Sequence, residues 1–236
     1  MNIAAMRATG DRRFYLLATV MLIAVTLGGF SIDADLVFHL DTLSWLVILH
    51  STLMFGWLLV FAVQTTLVAV GRVDLHRRFG IAGAVLAASL VVVGVITIVV
   101  ATRLGGNHMP PGLSRPVFLS AALELLLVFS VLAAFGIALR RRPDYHKRLM
   151  LLATLPLLDA AIVRFMGVYT NWTFDPDYIR NGLILACIAV DTIRYRRLHP
   201  AFVAGCAFIL VFDQISFHTA TMPAWERFTA WVVGSP

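Results

Sequence analysis

The sequence predicts an all-α, polytopic membrane protein. It reads as seven transmembrane helices in repeated helical hairpins, one bundle over residues 1–236, with the N-terminus inside and the C-terminus outside. Three observations carry this. The 236 residues are 60% hydrophobic and only 14% charged, with mean hydropathy +0.86. The apolar residues gather into runs at about 14–31, 43–70, 79–102, 117–139, 149–169, 181–194 and 200–219, and a bilayer core of roughly 30 Å takes about 20 apolar residues per helix. In a seven-span arrangement 14 of the 19 Lys and Arg residues fall on one side, which the positive-inside rule makes cytoplasmic. Topology thus accounts for the pI near 10, and nothing calls for nucleic acid as a partner. Backbone groups in lipid must pair within their own segment, so the runs are helices and not lone strands.

The first run follows Arg7, Arg12 and Arg13. It is longer than a signal-peptide core and no A-x-A-like site follows cleanly, so it reads as a retained anchor. An acidic loop with Asp33, Asp35 and Asp41 comes next. In the second run His50, Met54, Trp57, Phe61 and Gln64 recur at spacings of three and four, so one face carries all five. A lipid-facing stripe would not hold His and Gln, and this face should point inward. The third run has no ionisable residue between Phe79 and Thr102. The fourth holds Glu124. The fifth holds Pro156, Asp159 and Arg164, and Pro156 should interrupt its helix. The sixth is short and contains Asp191. The seventh contains Asp213, Gln214 and His218. Residues 222–233, with Trp225, Phe228, Trp231 and Val232 along one side, form a candidate outer interfacial helix. Asn171-Trp172-Thr173 fits a glycosylation sequon, a weak three-residue match. Cys187 and Cys206 lie within runs and imply no disulfide framework.

The connections repeat. Asp74-Leu75-His76-Arg77-Arg78-Phe79 aligns without a gap with Asp144-Tyr145-His146-Lys147-Arg148-Leu149, and a looser copy around Arg194–Phe202 carries His199. Asp159 follows His146 by 13 residues and Asp213 follows His199 by 14. Each Asp of the repeat should cap the helix that follows it. Helix starts and positive-inside charge explain the Asp and Arg residues. They leave the recurrent histidine unexplained.

HRRFG and HKRLM, followed by a helix containing Arg164, resemble loop motifs of uncharacterised bacterial integral-membrane families, over roughly Ser44–Gly167. The resemblance implies a bacterial inner (cytoplasmic) membrane. More distantly, paired histidines in a multi-span bundle are similar to the di-haem transmembrane cytochromes that reduce ascorbate or iron. Those bury their ligands well within helices, whereas His76 and His146 stand at helix starts.

The first functional expectation is therefore a b-type haem protein moving electrons within or across the bilayer, a membrane oxidoreductase if it is an enzyme. His76 with His146 and His50 with His218 would supply imidazole ligands, and Arg77 and Arg148 would neutralise propionates. A second is a small-molecule binding or transport protein opening outward, in which Arg164 pairs with Asp159 or Asp213. A third is a zinc-dependent hydrolase drawing on His50, His218, Asp159, Asp213 and Glu124. A fourth is a structural subunit with internal charge pairs. The only lysine, Lys147, lies in a connection, so no retinal Schiff base can form within a span. A redox protein or a small-molecule ligand would be the partner besides lipid.

Overall fold

Long apolar segments with few helix breakers fold as the runs predict. The computed structural model describes residues 3–31, 44–110, 112–169 and 176–234. The acidic loop at Asp33–Asp41 and the sequon at Asn171–Thr173 lie outside these residues. The helices are α1 (Ile3–Ser31), α2 (Trp45–Ala69), α3 (Val73–Leu104), α4 (Arg115–Ala138), α5 (Pro143–Thr154), α6 (Asp159–Tyr169), α7 (Pro176–Tyr195), α8 (Pro200–Thr219) and α9 (Pro223–Val233). Among the described residues, six helical segments are long and apolar enough to cross a membrane: Gly10–Ser31, Trp45–Ala69, Val73–Leu104, Arg115–Ala138, Pro143–Met166 and Pro200–Thr219.

Local chemistry sets the ends. Ser44 caps α2 through its side chain, accepting from the Val47 N–H at 3.4 Å. Pro116, Pro143, Pro200 and Pro223 sit in the first turns of α4, α5, α8 and α9, where their missing N–H costs nothing. Gly234, in the left-handed conformation at φ 81°, closes α9. Pro156 has the expected effect: the path from α5 to α6 passes through a 3₁₀ turn at Leu155–Leu158.

The repeated Asp residues depart from expectation. Pro143 takes the first helical position of α5, so Asp144 lies inside the first turn and pairs with Lys147 at 3.3 Å and Arg148 at 3.7 Å. Asp74 likewise falls within the first turn of α3 and bonds Arg72 at 3.3 Å. Both complement the positive end of the helix dipole and do not cap it. The residue that does cap is His199, whose Nδ1 accepts from the Ala201 N–H at 3.1 Å.

The chain forms two compact units. The first comprises residues 1–90 and 158–179, the second 91–157 and 180–236. In the first, α1 packs against α2 and α6. Thr19 and Thr65 hydroxyls meet at 3.0 Å, and Phe30 meets Phe55 edge-on at 5.4 Å. Trp57 and Phe61 are buried, so the α2 face that also carries His50 and Gln64 does turn inward. Gly29 lets α1 approach the Ala161 backbone so closely that a Cβ would collide with it.

In the second unit α4 packs against α5, α8 and α9, and α5 packs against α8. Gly205 accommodates Leu152, and Gly136 accommodates Met150. Ser120 meets Ser216 and Gly205 lies near Leu132, so α4 and α8 run antiparallel with the chain numbers of facing residues rising on one helix as they fall on the other. On α9, Trp225, Phe228 and Trp231 stack in a row, while Val232 turns inward. Trp225 donates its indole N–H to the Pro116 carbonyl at 2.9 Å, and Arg103 reaches the Val232 carbonyl at 2.6 Å.

Candidate functional site

Helix α7 is inside-out by the standards of a soluble protein. Arg180, Ile184, Cys187 and Asp191, spaced four, three and four apart, form its buried face. Ile179, Leu185, Val190 and Ile193 are exposed. Charges on the inner face and aliphatic side chains on the outer one suit surroundings that are themselves apolar. Its two inner charges go to two different partners within the second unit.

Arg148 meets Asp191 at one end. Nε lies 3.0 Å from Oδ2, and Nη2 lies 2.8 Å from Oδ1 and 2.9 Å from Oδ2. Nη1 donates to the Asp144 carbonyl at 2.8 Å. The guanidinium also sits 4.9 Å from the Tyr195 ring centroid and 5.8 Å from that of Phe202. Both side chains are almost fully buried, so this pair is a closed structural joint of α5 with α7. All three guanidinium nitrogens of Arg148 are engaged. Beside it, Lys147 bonds the Tyr195 hydroxyl at 3.2 Å.

The other joint is that of Arg180 with Asp213. Arg180 Nη2 donates to Asp213 Oδ2 at 2.6 Å, and Arg180 Nε donates to Asn181 Oδ1 at 3.3 Å. The side chains are 2% and 10% exposed. Asp213 also stands within hydrogen-bond reach of Asn181 and of Glu124, itself 9% exposed. Its second oxygen, Oδ1, is buried and accepts from no N–H or hydroxyl among the described residues. One helical turn along, Ser120 Oγ donates to the Ser216 carbonyl at 2.9 Å and meets Ser216 Oγ at 3.0 Å. The α4–α8 seam therefore carries a polar column: the serine pair, then the carboxyl pair, then Arg180.

The sequence candidates distribute as follows. Of the five mixed N/O ligand candidates, Glu124 and Asp213 are brought together. His218 lies five residues beyond Asp213, a rotation of about 140° along the helix, and is exposed. It lines an open apolar groove with Leu210, Val211, Gln214, Ile215 and Met222. His50 and Asp159 belong to the first unit, on α2 and α6. Among the described residues no group of three or more His, Cys, Asp and Glu side chains is placed to hold a metal ion. His76 and Arg77 lie in the first unit, His146 and Arg148 in the second. His146 is fixed by its Nδ1, 2.8 Å from the Gly136 carbonyl, which leaves Nε2 as its other polar atom. Arg164 bonds the Ala160 carbonyl at 2.8 Å and lies 4.4 Å over the Phe30 ring, in the first unit with Asp159.

The partner of Asp213 is thus Arg180, which the sequence places outside the sixth run, one residue before its start. No protein-family model, no curated protein and no solved structure matches the chain.

Proposed function

We propose that the protein is a membrane-embedded binding and transport protein for a small charged solute, with Arg180, Asp213 and Glu124 at its polar centre. The observation that carries the reading is the buried trio itself. Ionised groups within an apolar helical protein cost a few kcal/mol each and are retained where they pair or do work. The Arg148–Asp191 joint is closed by bidentate bonds and flanking rings, as a structural pair should be. The trio instead keeps a buried oxygen, Asp213 Oδ1, without a donor among the described residues, as a site that takes up an occupant should.

In this reading α7 is the seventh span, its charges neutralised by α5 and α8. The end of the second unit that carries Arg140, Arg141, Arg142, Lys147, Arg194, Arg196 and Arg197 faces the cytoplasm. Glu124 lies nine residues, about 13 Å, along α4 from Arg115, in the outer half of the membrane. The aromatic row of α9 lies in the outer interface.

A thermal-shift screen of small charged solutes on the detergent-solubilised protein tests the proposal. A binder should raise the transition of the wild type and leave that of Glu124→Gln unmoved. A wild type that no solute stabilises would remove the reading. The b-haem reading is favoured by one observation, the fixed ring of His146, and an absorption spectrum decides it. A Soret band shifting on dithionite reduction in protein from haem-replete cells would transfer the function to electron transport.

A further inference from the structure

We propose that the basic end of the second unit binds the headgroup of an anionic phospholipid. Arg196 and Arg197 of the α7–α8 connection, with Arg141 and Arg142 of the α4–α5 connection, are its phosphate-binding side chains. This goes beyond the solute reading and does not depend on it.

The fold brings the two connections to one membrane surface. The spanning segment Arg115–Ala138 ends there, and Pro143–Met166 and Pro200–Thr219 begin there. Lys147 Nζ donates to the Tyr195 hydroxyl at 3.2 Å and lies 5.3 Å over its ring. Tyr145 meets His199 edge-on at 4.9 Å, and the Arg148–Asp191 joint ties the same two segments together. The acids of these segments are already engaged: Asp191 by Arg148, and Asp144 by Lys147 and Arg148. Arg141, Arg142, Arg196 and Arg197 are exposed, and none of them meets an acid among the described residues. Guanidinium groups at a bilayer surface attract phosphate and can bond two of its oxygens at once.

Positive-inside charge alone would account for basic residues at this end without fixing the place of any of them. Arg196 is held to a stricter requirement. Among the described residues it is the one non-glycine residue with positive φ, at 53°. It directly follows α7, where a left-handed residue closes the helix. Glycine fills the corresponding positions after α2 and α9, Gly71 and Gly234, both at φ 81°. A Cβ is strained in that conformation and glycine is not. A side chain kept there against the backbone preference is one that has something to hold.

The surroundings select a lipid over a soluble phosphate. Ile193 is 75% exposed and Leu198 is 52% exposed, on either side of Arg194, Arg196 and Arg197 in the chain. Val190 continues the exposed aliphatic face along α7. A ligand seated on the arginines therefore has apolar surface running away from them along a helix. An acyl chain can cover that surface, whereas a free phosphate leaves it bare.

The test uses the purified full chain. Thermal unfolding is followed in micelles doped with dioleoyl phosphatidylglycerol or, at the same mole fraction, dioleoyl phosphatidylcholine, and native mass spectrometry counts the lipids retained. Phosphatidylglycerol should raise the transition and stay bound as a discrete adduct, and phosphatidylcholine should do neither. Arg196→Gly separates binding from folding, because it relaxes the backbone while removing the side chain. It should melt above the wild type in phosphatidylcholine, yet bind phosphatidylglycerol about tenfold more weakly. Arg197→Gln should show the same loss of binding. Arg78→Gln removes one charge from a basic connection of the first unit and should stay within about twofold of the wild type. Equal losses in Arg78→Gln and Arg196→Gly would reduce the patch to diffuse surface charge and overturn the proposal. A wild type that treats the two lipids alike would also overturn it, as would Arg196→Gly binding phosphatidylglycerol undiminished. Stabilisation by inorganic phosphate equal to that by phosphatidylglycerol would make the ligand a soluble one and overturn it too.

Discussion

Removing Asp191 isolates how α7 is held. The Asp191→Leu change strips the acceptors from Nε and Nη2 of Arg148, a guanidinium that is 1% exposed. Asp144 cannot substitute. Its carboxyl is 3.7 Å from Nη1 but 59% exposed, so its attraction is screened. Breaking one partner of a buried ion pair costs about 3–5 kcal/mol, and two orphaned charged donors at roughly 1.5–3 kcal/mol each give the same range. At about 1.4 kcal/mol per decade the folding equilibrium should fall by roughly two to four decades. Reversible unfolding in mixed micelles, followed by helical circular dichroism, measures it. The double change Arg148→Met with Asp191→Leu should recover most of the loss, because an apolar replacement of the whole pair leaves no uncompensated charge. A single Asp191→Leu cost below about 1 kcal/mol, or a double variant no better than the single, would refute the claim that this pair is a desolvated joint.

Three other outcomes follow from the same geometry. His199 caps α8 with an unprotonated Nδ1, and burial first, then the Arg148 charge, hold its pKa below the ordinary histidine value. The unfolded chain therefore binds the extra proton more readily. The cap's contribution is complete above about pH 6.5 and is lost as pH falls through the lowered value, so thermal stability should drop below pH 6.5 in the wild type and less in His199→Asn, which caps without titrating. Gly29→Ala should destabilise by roughly 1–3 kcal/mol through collision with the Ala161 backbone, while Gly28→Ala, with open space around it, should stay within about 0.5 kcal/mol; equal effects in the same melt would refute the close approach of α1 to α6. Trp225→Phe, which removes the bond to the Pro116 carbonyl together with part of the ring, should cost at least about 1 kcal/mol, and a neutral outcome in chemical unfolding would mean that this bond does not help to hold α9.

The sequence made the local features legible and hid those that depend on register between helices. Six apolar runs became helices of spanning length because hydropathy is a property of each segment alone. The inward face of α2 was readable from spacing, and the interruption at Pro156 from covalent chemistry. Arg148 was not readable as a buried residue. In sequence it stands among Arg140, Arg141, Arg142 and Lys147, and reads as surface charge. It is buried because Asp191, 43 residues later, and the rings of Tyr195 and Phe202 close over it. Glu124 and Asp213 were marked as intramembrane acids, yet nothing in their spacing says that they meet. Arg180 stands one residue before the sixth apolar run and so, in sequence, falls in the connection that precedes it. The one available signal was its spacing to Asp191 on the face of a single helix: Arg180, Ile184, Cys187 and Asp191 fall in line only once α7 is taken to start before Arg180, at Pro176.

The two charged joints of α7 differ in a way that bears on mechanism. At the Arg148 end, one acid meets one guanidinium, Tyr195 and Phe202 screen the pair, and the charges cancel without outside help. At the Arg180 end, Arg180 pairs with Asp213 at 2.6 Å, and a second acid, Glu124, comes from α4. The two ends of α7 therefore differ in their lining: rings close over one pair, while the other carries two carboxyls and a buried oxygen, Asp213 Oδ1, that has no donor among the described residues.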